Sequence, residues 1–481
     1  MKVALVLCPK WDSDYPLSSF ALLSAQLKKN GHEVEILDMN HAVDALDFVS
    51  GVRLETHTGL GDAGTSTEFV QSTLSWYGGW FKDLARKILA NGCRLVGFSL
   101  YYSNNRMSLE FAKILKEMEP GVKIVLGGPD CLTFSNCLEY IRKDGVDAVV
   151  FGEGDISLPR LVNGYEKTGE LLAGPGILLK NDESTWKEVV EVPRNLDEFP
   201  RLDYSGFPML ETYSGKTIHT ARGCIRKCVF CRDWREMSFR RMSGRRIFDE
   251  FAHQLDVHPR MNSFMFGDSI LNSSMPELLE FCGLVCARDM PISWRGYAIV
   301  RPDLTPQALE KMRRAGCREL FYGIESGSDQ ILRDMGKGVP PALNADILRR
   351  TSEAGILTMA TWMIGFPSET EERFEESLDF LRTNAKSIGR LGCSLFSVRE
   401  MRAQAERFNF APEDDQIFWK TRDGKNTFPL RLARARRTLE VAEEAGIPAR
   451  CWNISSVAAW RRYEEEAMDR YEWSLSAAGR S

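Results

Sequence analysis

The stretch His219-Thr-Ala-Arg-Gly-Cys-Ile-Arg-Lys-Cys-Val-Phe-Cys231 puts three thiols in a CxxxCxxC spacing directly behind 216–220, a run that reads as a strand. Zinc sites normally take four ligands, often as two separated pairs, and no matching second pair follows. Three thiolates suit a 4Fe–4S cubane instead: each binds one iron, and the fourth iron stays open to a further ligand. Most of the 12 cysteines are scattered singly, and only Cys224, Cys228 and Cys231 cluster tightly.

Downstream, strands are expected at 216–220, 263–267, 292–297, 318–323, 357–363 and 391–396, with amphipathic helices between them. Six β/α units are too few for a closed eight-unit barrel, so residues 216–400 read as an open, partial (β/α)6 barrel. Three further segments lie at carboxyl ends of its strands, where a barrel places its active site. Phe266-Gly267-Asp268-Ser269 ends the second strand, Tyr322-Gly-Ile-Glu325-Ser326-Gly327 the fourth, and Met363-Ile364-Gly365-Phe-Pro-Ser-Glu369 the fifth. Alone, Glu325 would read as a surface carboxylate and Gly365-Phe-Pro367 as a turn. Their order and register with the cysteines argue otherwise.

Upstream, Val3–Leu7 reads as a strand, followed by a helix carrying Phe20, Leu23 and Leu27 and stopped by Gly31. A helix with Phe81, Leu84 and Ile88 stops at Gly92 before the strand Leu95–Leu100. A helix around Leu109–Met118 and a final short one then separate the strands Lys123–Leu126 and Ala148–Phe151. The alternation makes 1–163 a Rossmann-like, doubly wound α/β domain with a parallel sheet. Ser99, Gly127, Gly128, Gly152 and Glu153 fall at the carboxyl ends of its strands, where open sheets bind ligands. The glycines serve equally as cradles for a bulky ligand or as strand-to-helix turns. The segment His41–Trp80 is long for a loop and is a candidate lid. Residues 164–215, punctuated by glycine and proline, read as a connector with some hairpin content, and 401–481 as a mainly helical region.

A 481-residue chain with 43% hydrophobic and 27% charged residues is an ordinary globular composition of two large domains. The net charge of −5 gives no general reason to expect nucleic acid or an anionic membrane as partner. The apolar run in MKVALVLCPKWDSDYP is too short for a signal peptide, and nothing reaches the roughly 20 apolar residues of a bilayer span. The expectation is a cytoplasmic protein with reduced thiols.

CxxxCxxC with Phe230 before the last cysteine resembles the signature of the radical S-adenosylmethionine (SAM) superfamily. The resemblance implies that the open iron chelates the amino and carboxylate groups of SAM. It implies SAM contacts at Phe230, Gly267, Asp268 and Ser269, at Glu325 and Ser326 with the segment running on to Lys337 and Gly338, and at Ile364 and Gly365 beside adenine. The Phe266–Ser269 match is loose, since the family usually has Gly-Gly-Glu or Asp-Asp there. Leu126-Gly-Gly-Pro-Asp130 followed by Val149-Val-Phe-Gly-Glu-Gly-Asp155 resembles the cobalamin-binding domain fused ahead of many radical SAM proteins, and together the resemblance covers residues 1 to 400. It implies cobalamin contacts at Ser99, Gly127, Gly128, Gly152 and Glu153. The Asp-x-His-x-x-Gly motif that supplies a lower cobalt ligand is absent: Asp256-Val-His258 has Met261 in place of glycine and lies in the barrel.

For this cobalamin-dependent family the implied activity is methylation of an unactivated carbon of a small-molecule or natural-product substrate. One SAM supplies the methyl group by way of cobalt, and a second yields the 5′-deoxyadenosyl radical that abstracts hydrogen. A flavodoxin- or ferredoxin-type electron donor is implied as partner. No catalytic acid or base is singled out. Related proteins catalyse cyclisation or rearrangement. A methylthiotransferase would hold a second cluster on three N-terminal cysteines, and Cys8, Cys93, Cys131 and Cys137 lack that family's pattern. A non-catalytic cobalamin or cluster sensor would not need the SAM-contact segments.

Smaller signals take plainer readings. Arg431, Arg434, Arg436 and Arg437 read as a solvated helix face beside Glu440, Glu443 and Glu444, with an acidic substrate as the alternative. Trp419, Trp452, Trp460 and Trp473 read as packing anchors. His253 and His258 are five apart, which is not a helical metal pair. Arg295, Tyr297 and Arg301 are expected near the SAM site.

Overall fold

The computed structural model describes residues 1–9, 14–39, 67–451 and 454–478. They form two compact units, one of Met1–His219 with Arg240–Met242 and Asp249–Ser263, the other of Thr220–Phe239, Ser243–Phe248 and Phe264–Ser481. Among the described residues no helix is long and apolar enough to cross a membrane.

The first unit is built on strands β1 (Lys2–Leu7), β2 (Glu33–Asp38), β3 (Leu95–Ser99), β4 (Lys123–Gly127), β5 (Ala148–Val150) and β6 (Ile177–Leu179), in the sheet order β2-β1-β3-β4-β5-β6. β1 to β5 are parallel, with Val3 opposite both Val34 and Leu95, and β6 joins β5 antiparallel. Continuous apolar runs such as Val3–Leu7 are almost fully buried, as expected of strands covered on both faces. The order reverses between β1 and β3, which makes their carboxyl ends the topological switch point. β6 lies within the expected connector, so part of that segment is integral to this unit.

The helix expected around Phe81–Ile88 begins much earlier and spans Thr67–Ala90. Residues 67–80 are therefore helical and not loop; 41–66 lie outside the described residues. Gly78 and Gly79 stand inside this helix with open space around them and had disguised its periodicity.

Further strands are β7 (Lys216–Ile218), β8 (Ala221–Arg222), β9 (Arg240–Arg241), β10 (Ser263–Phe266), β11 (Ser293–Ala298), β12 (Cys317–Glu325), β13 (Leu357–Ile364), β14 (Arg390–Leu395) and β15 (Ala449–Cys451). The second sheet has seven strands in the order β15-β14-β13-β12-β11-β10-β7. One face is covered by the intervening helices: Phe266 and Trp294 pack on Phe281, Tyr322 Oη meets Thr351 Oγ1 at 2.9 Å, and Trp362 packs on Phe380. The other face carries Tyr297, Phe321, Met359, Thr361 and Met363, half-buried or exposed, which is the alternation of a barrel with an accessible interior.

The region after residue 400 adds a strand as well as helices, since β15 pairs with β14 from Leu391↔Ala449 to Cys393↔Cys451. The arginine run on helix Phe428–Glu444 is not a solvated face. Arg431 is fully buried over the Trp419 ring at 4.0 Å, and Arg434 pairs with Glu369 and Glu371. Arg437 pairs with Glu371 and Glu375, and only Arg436 meets Glu440. Trp419 and Trp460 are buried anchors; Trp452 and the Trp473 side chain lie outside the described residues.

Candidate functional site

The three cysteines follow β7 on a loop whose carbonyls are pinned. Cys228 O accepts from Cys231 N at 3.2 Å and from Trp234 Nε1 at 2.9 Å. Val229 O accepts from Arg235 and from Gln404 Nε2, while Arg226 N points at Cys224 Sγ at 3.4 Å. Cys228 is buried and its two companions half-buried. Burial pushes all three thiols up, Cys231 to about 12. Thiols so placed become thiolates on meeting a metal's positive charge. Among the described residues no three His, Cys, Asp or Glu side chains converge on one point as a mononuclear site requires. Thiolates that each take a separate iron of a cubane have no such requirement, so an all-sulfur set of three fits that group.

The segments expected around the cysteines gather at one edge of the second sheet. Val229 and Phe230 pack against a buried cluster of Ile331, Met335, Phe366, Phe396 and Met401. That cluster joins the cysteine loop to the segments following β12, β13 and β14.

Individual residues differ in what they leave available. Asp268 is buried and accepts from Thr220 N at 2.6 Å, Ala221 N at 2.8 Å and the Thr220 hydroxyl. Its burial, opposed by those donors, raises its carboxyl to about 6. Ser269 Oγ donates to Asp233 at 2.6 Å, and Gly267 is half-buried beside them. The Ser326 hydroxyl is taken by Ser377 Oγ at 2.9 Å and by Ser328 N at 3.0 Å. Ile364 is buried, with its carbonyl accepting from Phe396 N at 2.8 Å. Gly365 has φ +81 and lies against the Arg431 stem, where a Cβ would clash. Its N–H donates to Glu369 at 2.9 Å.

Glu325 is the outlier at this edge. It ends β12 with φ +66, a left-handed conformation that costs a non-glycine residue about 1–3 kcal/mol and is concentrated at functional sites. Thr361 Oγ1 donates to its Oε1 at 3.2 Å, and Lys337 Nζ lies 3.4 Å away. Sequence reasoning named Glu325 but gave Lys337 no role of its own; its flanking glycines were the available signal. Arg295 sits low on β11, opposite Glu319 and paired with it at 3.5 Å, and Arg301 is held by Asp303. Arg301 Nη1 also donates to Asn272 O at 2.8 Å and Ser273 O at 3.1 Å, so both arginines take part in the scaffold's own polar contacts.

In the first unit the switch point is organised by a residue the sequence reading missed. Asn104 is fully buried, and its Nδ2 reaches Cys8 O at 3.2 Å and Ser99 O at 3.3 Å, bridging the ends of β1 and β3. An asparagine two residues past Tyr102 carries no spacing signal. At Gly128, φ is +96 and a Cβ would sit 2.7 Å from Ser99 Oγ, so glycine there serves internal packing. A Cβ on Gly127 would make only ordinary contact, with Val150 Cβ at 3.7 Å and Val150 O at 3.8 Å, so internal packing does not require glycine there. Gly152 faces Val190 Cγ1, and the buried Glu153 pairs with Arg240, which also donates to Pro193 O at 2.8 Å. His32, before β2, is engaged by Asn163 at 2.7 Å and stands at the opposite edge. Cys93 also precedes its strand, so it cannot converge with Cys8 and Cys131 at the carboxyl edge.

The radical SAM superfamily model matches residues 218–381, and the B12 binding domain model matches residues 57–162. An uncharacterized methyltransferase of Pyrococcus horikoshii, PH0819, is 29% identical over 313 residues, covering 63% of this chain and 67% of that protein. Two solved structures share the fold. One is the cobalamin-dependent SAM radical enzyme OxsB with aqua-cobalamin bound (TM-score 0.63, 20% identity, 79% of this chain and 52% of that one). The other is the radical SAM methyltransferase TsrM from Kitasatospora setae with tryptophan substrate and a SAM analogue bound (TM-score 0.62, 19% identity, 82% and 72%). This chain thus spans about half the length of OxsB. A 4Fe–4S cluster, SAM and cobalamin are the cofactors of this pairing of domains. Both domain models are matched in one chain and in this order, so the protein carries the domain pairing of the cobalamin-dependent radical SAM enzymes.

Proposed function

We propose that this enzyme methylates an unactivated carbon of a small-molecule substrate. The observation that carries the reading is an all-cysteine CxxxCxxC loop at the carboxyl edge of one sheet, in a chain that also holds a B12-binding domain. The methyltransferase name of the Pyrococcus relative supports the class.

When bound, the cluster supplies the electron that cleaves SAM, and cobalamin relays the methyl group. Cys224, Cys228 and Cys231 hold the cluster. Glu325 and Gly365, with Phe230, Gly267 and Ser269, line the SAM position. Asp268, Ser326 and Ile364 act on SAM through the backbone they fix. Ser99 and Gly127 face the corrin, and Gly128, Gly152 and Glu153 shape the edge around it. The apolar cluster around Phe366 and Phe396 keeps water from the reacting groups. A flavodoxin- or ferredoxin-type donor in a reducing cytoplasm completes the reading, in keeping with 12 free cysteines.

The test is an anaerobic visible spectrum after reconstitution with iron, sulfide and hydroxocobalamin, beside the Cys224→Ala/Cys228→Ala/Cys231→Ala variant. A cluster band lost in the variant, with cobalamin retained after desalting, is the expected outcome. No cluster in the wild type would overturn the reading. Formation of S-adenosylhomocysteine together with 5′-deoxyadenosine distinguishes methylation from cyclisation, which yields only the latter.

A further inference from the structure

Met335-Gly-Lys-Gly338 sets a lysine between two glycines with φ of +71 and +62, a turn closing helix Asp329–Asp334. The backbone of this turn is stitched to the cysteine loop. Val229 N donates to Met335 O at 3.0 Å, and Arg226 Nη1 to Lys337 O at 3.3 Å. A Cβ on Gly336 would lie 3.9 Å from Cys228 Cα, so the turn and the loop are in contact.

The Lys337 side chain runs onto the accessible face of β12. The Lys337 and Glu325 side chains are only 15% and 12% exposed. The space they occupy exists because residue 323 is glycine: a Cβ there would stand 2.8 Å from both Lys337 Nζ and Glu325 Oε1. Glu325 is also held by Thr361, so the lysine has a fixed anchor.

A cubane on three thiolates is an anion, and its reduction adds one more negative charge. A cation fixed nearby in a poorly solvated place stabilises the reduced form more than the oxidised one. We propose that Lys337 is a positioning residue whose ammonium, anchored over Gly323 by Glu325, raises the reduction potential of the cluster held by Cys224, Cys228 and Cys231. This rests on those cysteines holding the cluster.

The test is a SAM-free potentiometric titration of the reconstituted full chain, read by electron paramagnetic resonance and normalised to bound iron and sulfide. In Lys337→Met, the reduced-to-oxidised ratio at fixed poise should fall at least tenfold, about 59 mV for one electron. Lys337→Arg should stay near the wild type, and Glu325→Gln should shift the potential upward. A Lys337→Met cluster of full iron content at the wild-type potential overturns the proposal, as does Lys337→Arg behaving like Lys337→Met. If Lys337→Met holds no iron, Glu325→Gln decides alone, and an unchanged potential there is equally fatal. Absence of iron from the wild type strikes the cluster assignment instead.

Discussion

The Asp268 Oδ1 accepts from two successive backbone amides, Thr220 at 2.6 Å and Ala221 at 2.8 Å, and so fixes the chain just ahead of the cysteine loop to the end of β10. Removing the acceptor leaves two buried N–H groups unpaired, at about 1–3 kcal/mol each. Asp268→Ala should therefore lower both unfolding stability in urea and bound iron, with Asp268→Asn losing less. Full iron content in Asp268→Ala would mean that the loop holds its geometry without this brace.

Glu369 should make stability depend on pH. Burial, only partly opposed by Arg434 and Gly365 N, raises its carboxyl from 4.5 to about 7. Between those values the folded chain keeps a proton that the unfolded chain releases, so stability falls as pH rises through the window. Asp268 acts with the same sign from 3.8 to about 6. Urea unfolding across pH 4.5 to about 7 should show a shallower decline in Glu369→Gln than in the wild type. An identical slope would show Glu369 to be ionised throughout.

Adjacent glycines at the end of β4 should respond differently. Gly128→Ala forces a Cβ to within 2.7 Å of Ser99 Oγ at φ +96. Strain of this kind costs about 1–3 kcal/mol. Gly127→Ala meets only ordinary contacts and should stay within about 0.5 kcal/mol of the wild type, while retaining less cobalamin after desalting. Undiminished cobalamin in Gly127→Ala would remove this backbone from the cradle.

Arg240 and Glu153 form a buried pair, 10% and 3% exposed. Arg240→Met strands a buried carboxylate and should destabilise the protein by about 3–5 kcal/mol. Adding Glu153→Gln should recover part of that loss in chemical denaturation. No recovery would point to lost packing of the arginine stem.

Barrel strands were legible because their apolar alternation is strong and their ends carry glycine or charge; expected and observed limits differ by one or two residues, as at β13 and β14. The three-cysteine loop was legible because its chemistry is local. Residues whose role depends on distant partners were not. Arg431 and Arg434 look like any basic helix face until Trp419 and Glu369 are brought against them. Asn104 becomes meaningful only when β1 and β3 lie side by side. Lys337 needed Gly323, fourteen positions earlier, to vacate the space its ammonium fills.

Arg431 also bears on how the molecule comes into being. Its stem fills the space beside Gly365, its guanidinium caps Trp419 O and Ile417 O, and β15, later still in the chain, completes the sheet beside β14. On a ribosome, the turn after β13 emerges long before any of these supports. The edge that the cysteines share is therefore finished last, and a nascent chain halted near residue 400 would present an unbraced Gly365 turn to any iron–sulfur donor that reached it.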